Sequence, residues 1–283
     1  MKKWYVQIPS MVVGLCLSTS AFANSTAQSL ETQSLEIDFP AGSALYNAGE
    51  YLQDKEIILT FDDGPDTETT PQILDILNRY NAKAIFFVLG RRLSENEEAK
   101  NILKRTADEG HRIGNHSYTH PGFKGLIKSG QMQTIMNEIA GTHQIIQNTL
   151  GFVDPYFRFP GGSHTPELNE LLAQYGLTNW RWNIDSLDYE ECAQKNSDGR
   201  CLRKMTIDEN AQAAYQNVIR GLEKHRKGIV LFHDIKPQTV KALPAIMDYI
   251  VKNNFKVVLP VSVDQKVKFD NLLKYEKVNY KTH

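Results

Sequence analysis

EIILTFDDGPDTETTPQILDILNRY, residues 56–80, reads as a strand, a charged turn and a helix in that order. The opening EIILTF is almost unbroken in its apolarity, the pattern of a parallel strand buried on both faces rather than one wetted on one side. It runs straight into Asp62 and Asp63, which Gly64 and Pro65 then hold in a tight turn. Pro71 stands close to the first helical position, where its missing N–H removes no intrahelical bond. The same grammar repeats outward along the chain. Strand-like runs lie at 84–89, 111–115, 156–159, 179–184, 228–232 and 255–260. Helical patterns lie between them at 95–110 (stopped by Gly110), about 129–149, 165–176, 207–225 and 239–253. Repeated strand–helix units predict a (β/α) barrel or an open doubly wound sheet. Asp62, Asp63, His116, Arg158, Asp185 and His233 each follow or end a strand. An open sheet recruits only the strands near its switch point, whereas a barrel gathers the carboxyl ends of all of them. The expectation is therefore one α/β domain over residues 55–263, closed or nearly closed into a barrel of about seven parallel strands.

The flanks differ from this core. Lys2 and Lys3 precede an apolar stretch at Val12–Leu17, and Ala21-Phe22-Ala23 has the small-x-small form, so residues 1–23 read as a signal peptide cut after Ala23. A membrane anchor needs about 20 apolar residues, and Gln7, Pro9 and Ser18–Ser20 interrupt this one. The expected location is the periplasm or the medium, with no stable membrane insertion after cleavage. Residues 24–54 read as an N-terminal extension packed on the domain, and 264–283 as a polar C-terminal tail. Without Lys2 and Lys3 the formal charge of −1 on 283 residues becomes −3. Nothing in that balance suits a polyanion surface, so nucleic acid is not an expected partner. The sequence assigns no oligomeric state. Cys192 and Cys201 are the cysteines left after the leader, in the polar insert EECAQKNSDGRC. In an oxidising compartment they would staple their own loop; the alternative is two free thiols.

Adjacent carboxylates at a strand end are costly unless something positive meets them, although an Asx-capped turn, with Asp66 as one such residue, is the plainer reading. His116 and His120 are four apart, which on a helical turn places both rings on one face. With Asp63 they make a two-His, one-carboxylate set that leaves positions open for water and substrate. Zinc suits those donors, and cobalt, nickel or manganese would also bind. His233 closes the apolar GIVLF run. His111 reads as a surface or helix-end residue, and His143, His164 and His225 receive no role. The outline is that of a metal hydrolase.

TFDDG (60–64), HSYTH (116–120), RFPGG (158–162), DSLDY (185–189) and LFH (231–233) occur in this order. Together they resemble the five motifs of the NodB-homology polysaccharide deacetylases, carbohydrate esterase family 4, over roughly residues 55–260. The resemblance implies a distorted (β/α) barrel of the NodB kind. It implies Asp62 as general base, Asp63, His116 and His120 as ligands of one divalent metal, and His233 as general acid. Arg158 is implied to orient Asp62 and keep it ionised, Asp188 to orient His233, and Leu231 to line a pocket for the acetyl methyl. The backbone N–H near Gly161 is implied to serve the oxyanion. Two positions depart from the pattern. Gly161 stands where the family has a large aromatic, which predicts a wider groove, and Tyr189 replaces a tryptophan but keeps a ring beside His233. Trp180 and Trp182 precede the same loop, and one of them is a candidate for stacking on sugar.

An exported enzyme of this type meets peptidoglycan first, and branching peptides suit a widened groove. The expected reaction is removal of the N-acetyl group from N-acetylglucosamine residues of peptidoglycan. Chitin oligosaccharide is the second expectation, O-acetyl xylan the third, and an inactive glycan-binding relative the reading of a different class.

Overall fold

The computed structural model describes residues 32–36, 44–45, 51–94 and 96–261. The expected signal peptide and the polar tail lie outside the described residues, as does most of the extension. The elements in chain order are β1 (Gln33–Glu36), β2 (Ala44–Leu45), β3 (Glu56–Asp62), α1 (Thr69–Arg79), β4 (Ile85–Val88), α2 (Gly90–Ser94) and α3 (Glu97–Asp108). There follow β5 (Arg112–Asn115), α4 (Phe123–Lys128), α5 (Met132–Leu150), β6 (Tyr156–Phe157), a 3-10 turn at Pro160–Gly162, α6 (Pro166–Gln174), β7 (Thr178–Trp180) and β8 (Ile184–Asp185). The chain ends with β9 (Cys192–Lys195), β10 (Cys201–Lys204), α7 (Ile207–His225), β11 (Gly228–His233), α8 (Pro237–Lys252) and β12 (Lys256–Val261).

Apart from the antiparallel β9–β10 hairpin, every pairing is parallel. The sheet runs β1-β12-β3-β4-β5-β6-β7-β2, with β11 between β3 and β8. All seven expected strands are present, curled into a half-barrel. The run expected at 179–184 is cut in two: β7 pairs with β6 and β2, and β8 pairs with β11. Among the described residues no pair joins β7 to β8, so the barrel is open there and Arg181–Asn183 crosses the gap.

The pleat sorts the side chains. Ile57, Leu59 and Phe61 of β3, with Val230 and Phe232 of β11, pack outward under α1, α7 and α8. Ile58, Ile85, Phe87, Tyr156, Trp180 and Ile229 fill the barrel interior. Because successive residues alternate, the inward register continues from Ile58 through Thr60 to Asp62, from Ile229 to His233, and from Tyr156 to Arg158. The helices begin where the sequence provides caps. Asn96 accepts from the N–H groups of Glu98 and Ala99, Thr165 from Leu168, and Thr206 with Glu209 forms a reciprocal capping box. His111 is not on the surface: it is buried, and its Nδ1 accepts the Ala84 N–H at 3.0 Å. Its ring lies edge-on to Phe86, so a strand start that looked polar is packed inside.

Gly114 of β5 stands opposite Phe87 in register. A Cβ on Gly114 would lie 2.3 Å from the Phe87 ring. Gly114→Ala should therefore lower stability by about 1–3 kcal/mol, an overpacking cost, read from urea unfolding. Gly122→Ala, where a Cβ meets nothing within 4 Å, should change it by less than about 0.5 kcal/mol.

Candidate active site

The turn after β3 breaks strand alternation at one residue. Asp63 has φ +77, a left-handed conformation that aspartate tolerates better than most side chains. This is why two adjacent carboxylates face one pocket. The turn is held from β11. The Asp234 N–H donates to the Asp62 carbonyl at 3.3 Å, and the Asp234 carboxyl accepts the Thr70 hydroxyl at 2.6 Å. That carboxyl also lies where any Gly64 side chain would be, 1.9 Å from an added Cβ. Burial raises Asp234 to about 7.

Asp63 Oδ1 lies 3.5 Å from both His116 Nε2 and His120 Nε2. The three donor atoms fall within 4.8 Å of one another, and Asp63 Oδ1 is buried without a hydrogen-bond partner. His116 Nδ1 contacts the Arg158 carbonyl at 2.7 Å. A carbonyl only accepts, so Nδ1 carries the hydrogen and Nε2 presents a lone pair. Burial lowers His116 to about 3, which keeps that ring neutral. An orphaned carboxylate oxygen facing two imidazoles at these separations fits donors that share an ion about 2.1 Å from each. The residues present fit a divalent metal. The two histidines do not lie on a helical turn, as their spacing suggested. They bracket a loop in which Ser117 (φ +76) and His120 (φ +66) are both left-handed.

On one side of this triad stands Asp62. Its Oδ1 accepts from Arg158 Nη1 at 2.6 Å, and its Oδ2 lies 3.5 Å from His116 Nε2. Arg158 is fully buried, donates also to Thr60 Oγ1 (2.9 Å) and the Trp180 carbonyl (3.2 Å), and stacks 4.2 Å from the Phe87 ring. Burial raises the Asp62 carboxyl, and the Arg158 charge pulls it back without cancelling that rise. Arg158 thus pulls Asp62 toward the ionised form, against a larger effect of desolvation. A raised carboxylate is the better proton acceptor.

His233, on β11, stands in register beside Asp62. Its Nδ1 meets Asp188 Oδ1 at 2.7 Å, and its own N–H donates to Asp188 Oδ2 at 2.7 Å. Asp188 is fixed in turn by the Thr239 hydroxyl and by Gln238 Nε2, which donates to its carbonyl at 2.7 Å. Burial alone would lower the His233 ring, but the hydrogen bond and charge of Asp188, with Asp62 and Asp63 beyond, raise it to about 9. The Tyr189 ring stands edge-on to it at 5.4 Å and is 41% exposed. Leu231 is buried and pairs with Thr60 and Asp185.

Gly161 sits at φ +58 with nothing within 4 Å of an added Cβ. Trp180 is fully buried in the barrel. Trp182 is partly exposed, 5.4 Å from the Arg158 guanidinium, and its ring would touch a Cβ on Gly162 at 2.9 Å. Asp185 accepts from Trp182 Nε1 at 3.0 Å and lies 3.4 Å from the Tyr189 hydroxyl, so one carboxylate holds both rings. Cys192 and Cys201 are bonded, with Cα atoms 5.7 Å apart, and the link closes the β9–β10 hairpin. The sequence reading missed Thr60, Glu138, Gln238 and Thr239. Only Glu138 carried a signal, as a charged residue on the apolar face of α5.

The polysaccharide deacetylase family model matches residues 49–180. A peptidoglycan-N-acetylglucosamine deacetylase of Bacillus cereus is 36% identical over 206 residues, 71% of this chain and 68% of that protein. The peptidoglycan-N-acetylglucosamine deacetylase PgdA of Listeria monocytogenes is 30% identical over 204 residues, 72% of this chain but 38% of the relative. Among solved structures, a peptidoglycan deacetylase of Bdellovibrio bacteriovorus superposes with a TM-score of 0.68 at 30% identity, over 87% of this chain and 63% of that one.

The His233–Asp188 pair has a pH signature. His233 is raised above an unfolded value of about 6.5, so its stabilising contribution is full below about 6.5 and is lost as pH rises through about 9. In metal-free protein, NMR titration should find the His233 ring near 9. In Asp188→Asn it should fall well below 9, because only Asp62 and Asp63 then oppose burial.

Proposed function

The chain belongs to the polysaccharide deacetylase family, and from that premise we propose that it hydrolyses the N-acetyl group of N-acetylglucosamine residues in peptidoglycan, releasing acetate. The observation that carries the reading is the pair of opposite proton settings at Asp62 and His233, neighbours in register at the ends of β3 and β11, beside the triad. Asp62 is a buried carboxylate on an arginine, and His233 is an imidazole held protonated by Asp188. Hydrolysis of an amide needs both, since the attacking water must lose a proton and the departing amine must gain one. Asp63, His116 and His120 would hold one divalent ion, zinc by donor type, and when bound it polarises the acetamide carbonyl and makes water more acidic.

The chain's own residues supply the remaining work. Asp62 takes a proton from water as its oxygen bonds to the carbonyl carbon. The backbone N–H of Gly161 donates to the oxygen on which charge develops. His233 gives its Nε2 proton to the sugar nitrogen as the carbon–nitrogen bond breaks, leaving acetate and a free amine. Leu231 and Tyr189 line the side facing the acetyl group and His233. With no side chain at Gly161, Trp182 is the ring available to a sugar, and the open flank admits glycan strands that carry peptides. Residues 1–23 act as a signal peptide in this reading, which places the enzyme in the periplasm or the medium. The described residues hold no helix long and apolar enough to cross a membrane.

Zinc-loaded protein should release acetate from peptidoglycan faster than from chitooligosaccharide or acetylated xylan. Asp62→Asn should lose about 10²–10⁴-fold in kcat, the range for a positioned base, with KM little changed. Chelation should abolish turnover and added zinc restore it. No acetate from any of the three polymers would overturn the enzyme reading, and a faster rate on chitooligosaccharide or xylan would overturn the substrate.

A further inference from the structure

Glu138 lies on the buried face of α5 beside Ile135, Met136, Ile139 and Thr142, and is 8% exposed. A carboxylate there is expensive unless its lone pairs are used. They are used on one short segment. Oε2 accepts the N–H groups of Tyr118 at 2.9 Å and Thr119 at 2.7 Å, and Oε1 accepts the Thr119 hydroxyl at 2.6 Å. Those two residues are the middle of the loop between His116 and His120.

Other hydrogen bonds to the loop are to neutral groups. His116 is pinned by the Arg158 carbonyl, but the His120 side chain is 38% exposed. Ser117 and His120 are both left-handed, a conformation uncommon outside glycine. Asn115 Oδ1 accepts the Ser117 N–H at 2.8 Å, and Ser117 Oγ accepts the His120 N–H at 3.0 Å. The Ser117 and Tyr118 carbonyls accept from Gly90 and Arg91 at 3.1 Å each. In this set Glu138 supplies the charged acceptor, and charge-assisted hydrogen bonds are about twice as strong as neutral ones.

We propose that Glu138 is a positioning residue for the metal site: its carboxylate holds the 117–119 backbone so that the His116 and His120 imidazoles meet Asp63 in a ready-made geometry. The proposal rests on the metal-binding part of the function above and not on the choice of glycan. It makes the acceptor atoms of residue 138, rather than its bulk, decisive. In Glu138→Gln one amide oxygen still takes both N–H groups, and the amide nitrogen can donate to the Thr119 hydroxyl. In Glu138→Met the volume stays and the acceptors go.

Calorimetric titration of metal-free protein with Zn²⁺, and the visible spectrum of the Co²⁺-loaded protein, test this without any glycan. Glu138→Met should bind Zn²⁺ about 10–100-fold more weakly, the usual cost of losing a residue that orients a ligand, and should alter the Co²⁺ bands. Glu138→Gln should remain within about tenfold of wild type with the wild-type spectrum. Thr119→Val, which removes only the hydroxyl bond to Oε1, should fall between wild type and Glu138→Met and carries the test if the methionine variant does not fold. Equal Zn²⁺ affinity in wild type, Glu138→Met and Thr119→Val overturns the proposal, as does an equal loss in the methionine and glutamine variants. Wild-type protein that binds no Zn²⁺ overturns the metal site and this proposal together, whereas normal Zn²⁺ binding without acetate release overturns only the activity.

Discussion

A single buried cation, Arg158, organises the carboxyl ends of the half-barrel. A guanidinium with no water around it must find acceptors within the protein or unfold the region that hides it. Here the acceptors belong to different strands. Thr60 and Asp62 are on β3 and the Trp180 carbonyl is on β7, while the Phe87 ring of β4 lies against its face. Its own carbonyl receives the proton of His116 from the loop after β5. Because the ring of strands is not closed by pairing between β7 and β8, this side chain does part of the joining that a further ladder would have done. Removing it would leave Asp62 as an uncompensated buried charge, the costlier half of breaking any such pair.

The two proton-handling residues are neighbours in register, distinguished by their environments. Asp62 is desolvated and faces one arginine, whereas His233 is desolvated and faces one aspartate. In both, burial pushes toward the neutral form, and the partner decides how far that push succeeds. Arg158 only moderates it at Asp62. Asp188, locked by Thr239, Gln238 and the His233 backbone, overcomes it at His233. The acid and the base therefore differ in how far the partner's charge and hydrogen bond offset burial.

Much of this was legible in the residues alone. The apolar runs located the central strands, though not β1, β2, β9 or β10, because a parallel strand buried on both faces leaves a nearly uninterrupted signature, and the polar residues at their ends marked the rim. What escaped were features set by backbone conformation and by long-range partners. Nothing in HSYTH distinguishes a helical turn from a loop with two left-handed residues. The break at Arg181–Asn183 is hidden within a run that alternates like a strand, NWRWNI. His111 looked solvated because its partner, the Ala84 N–H, lies just before β4, far away in the sequence. The sign of the Asp62 shift depends on how completely the barrel excludes water, which no pattern of letters records.

Both ends of the main strand order are supplied by the first part of the chain. β1 pairs with β12, Gln33 opposite Val258, and β2 pairs with β7, Ala44 opposite Asn179. An unpaired parallel strand at either place would offer a row of free N–H and C=O groups to any neighbouring chain. Among the described residues the most N-terminal segment thus supplies both outer strands, and β1 has no partner until β12, more than two hundred residues later, is in place. Contacts of such long sequence separation are slow to form. Joining β1 to β12 therefore closes the long stretch of chain between Glu36 and Lys256, at the entropic cost that such a closure carries.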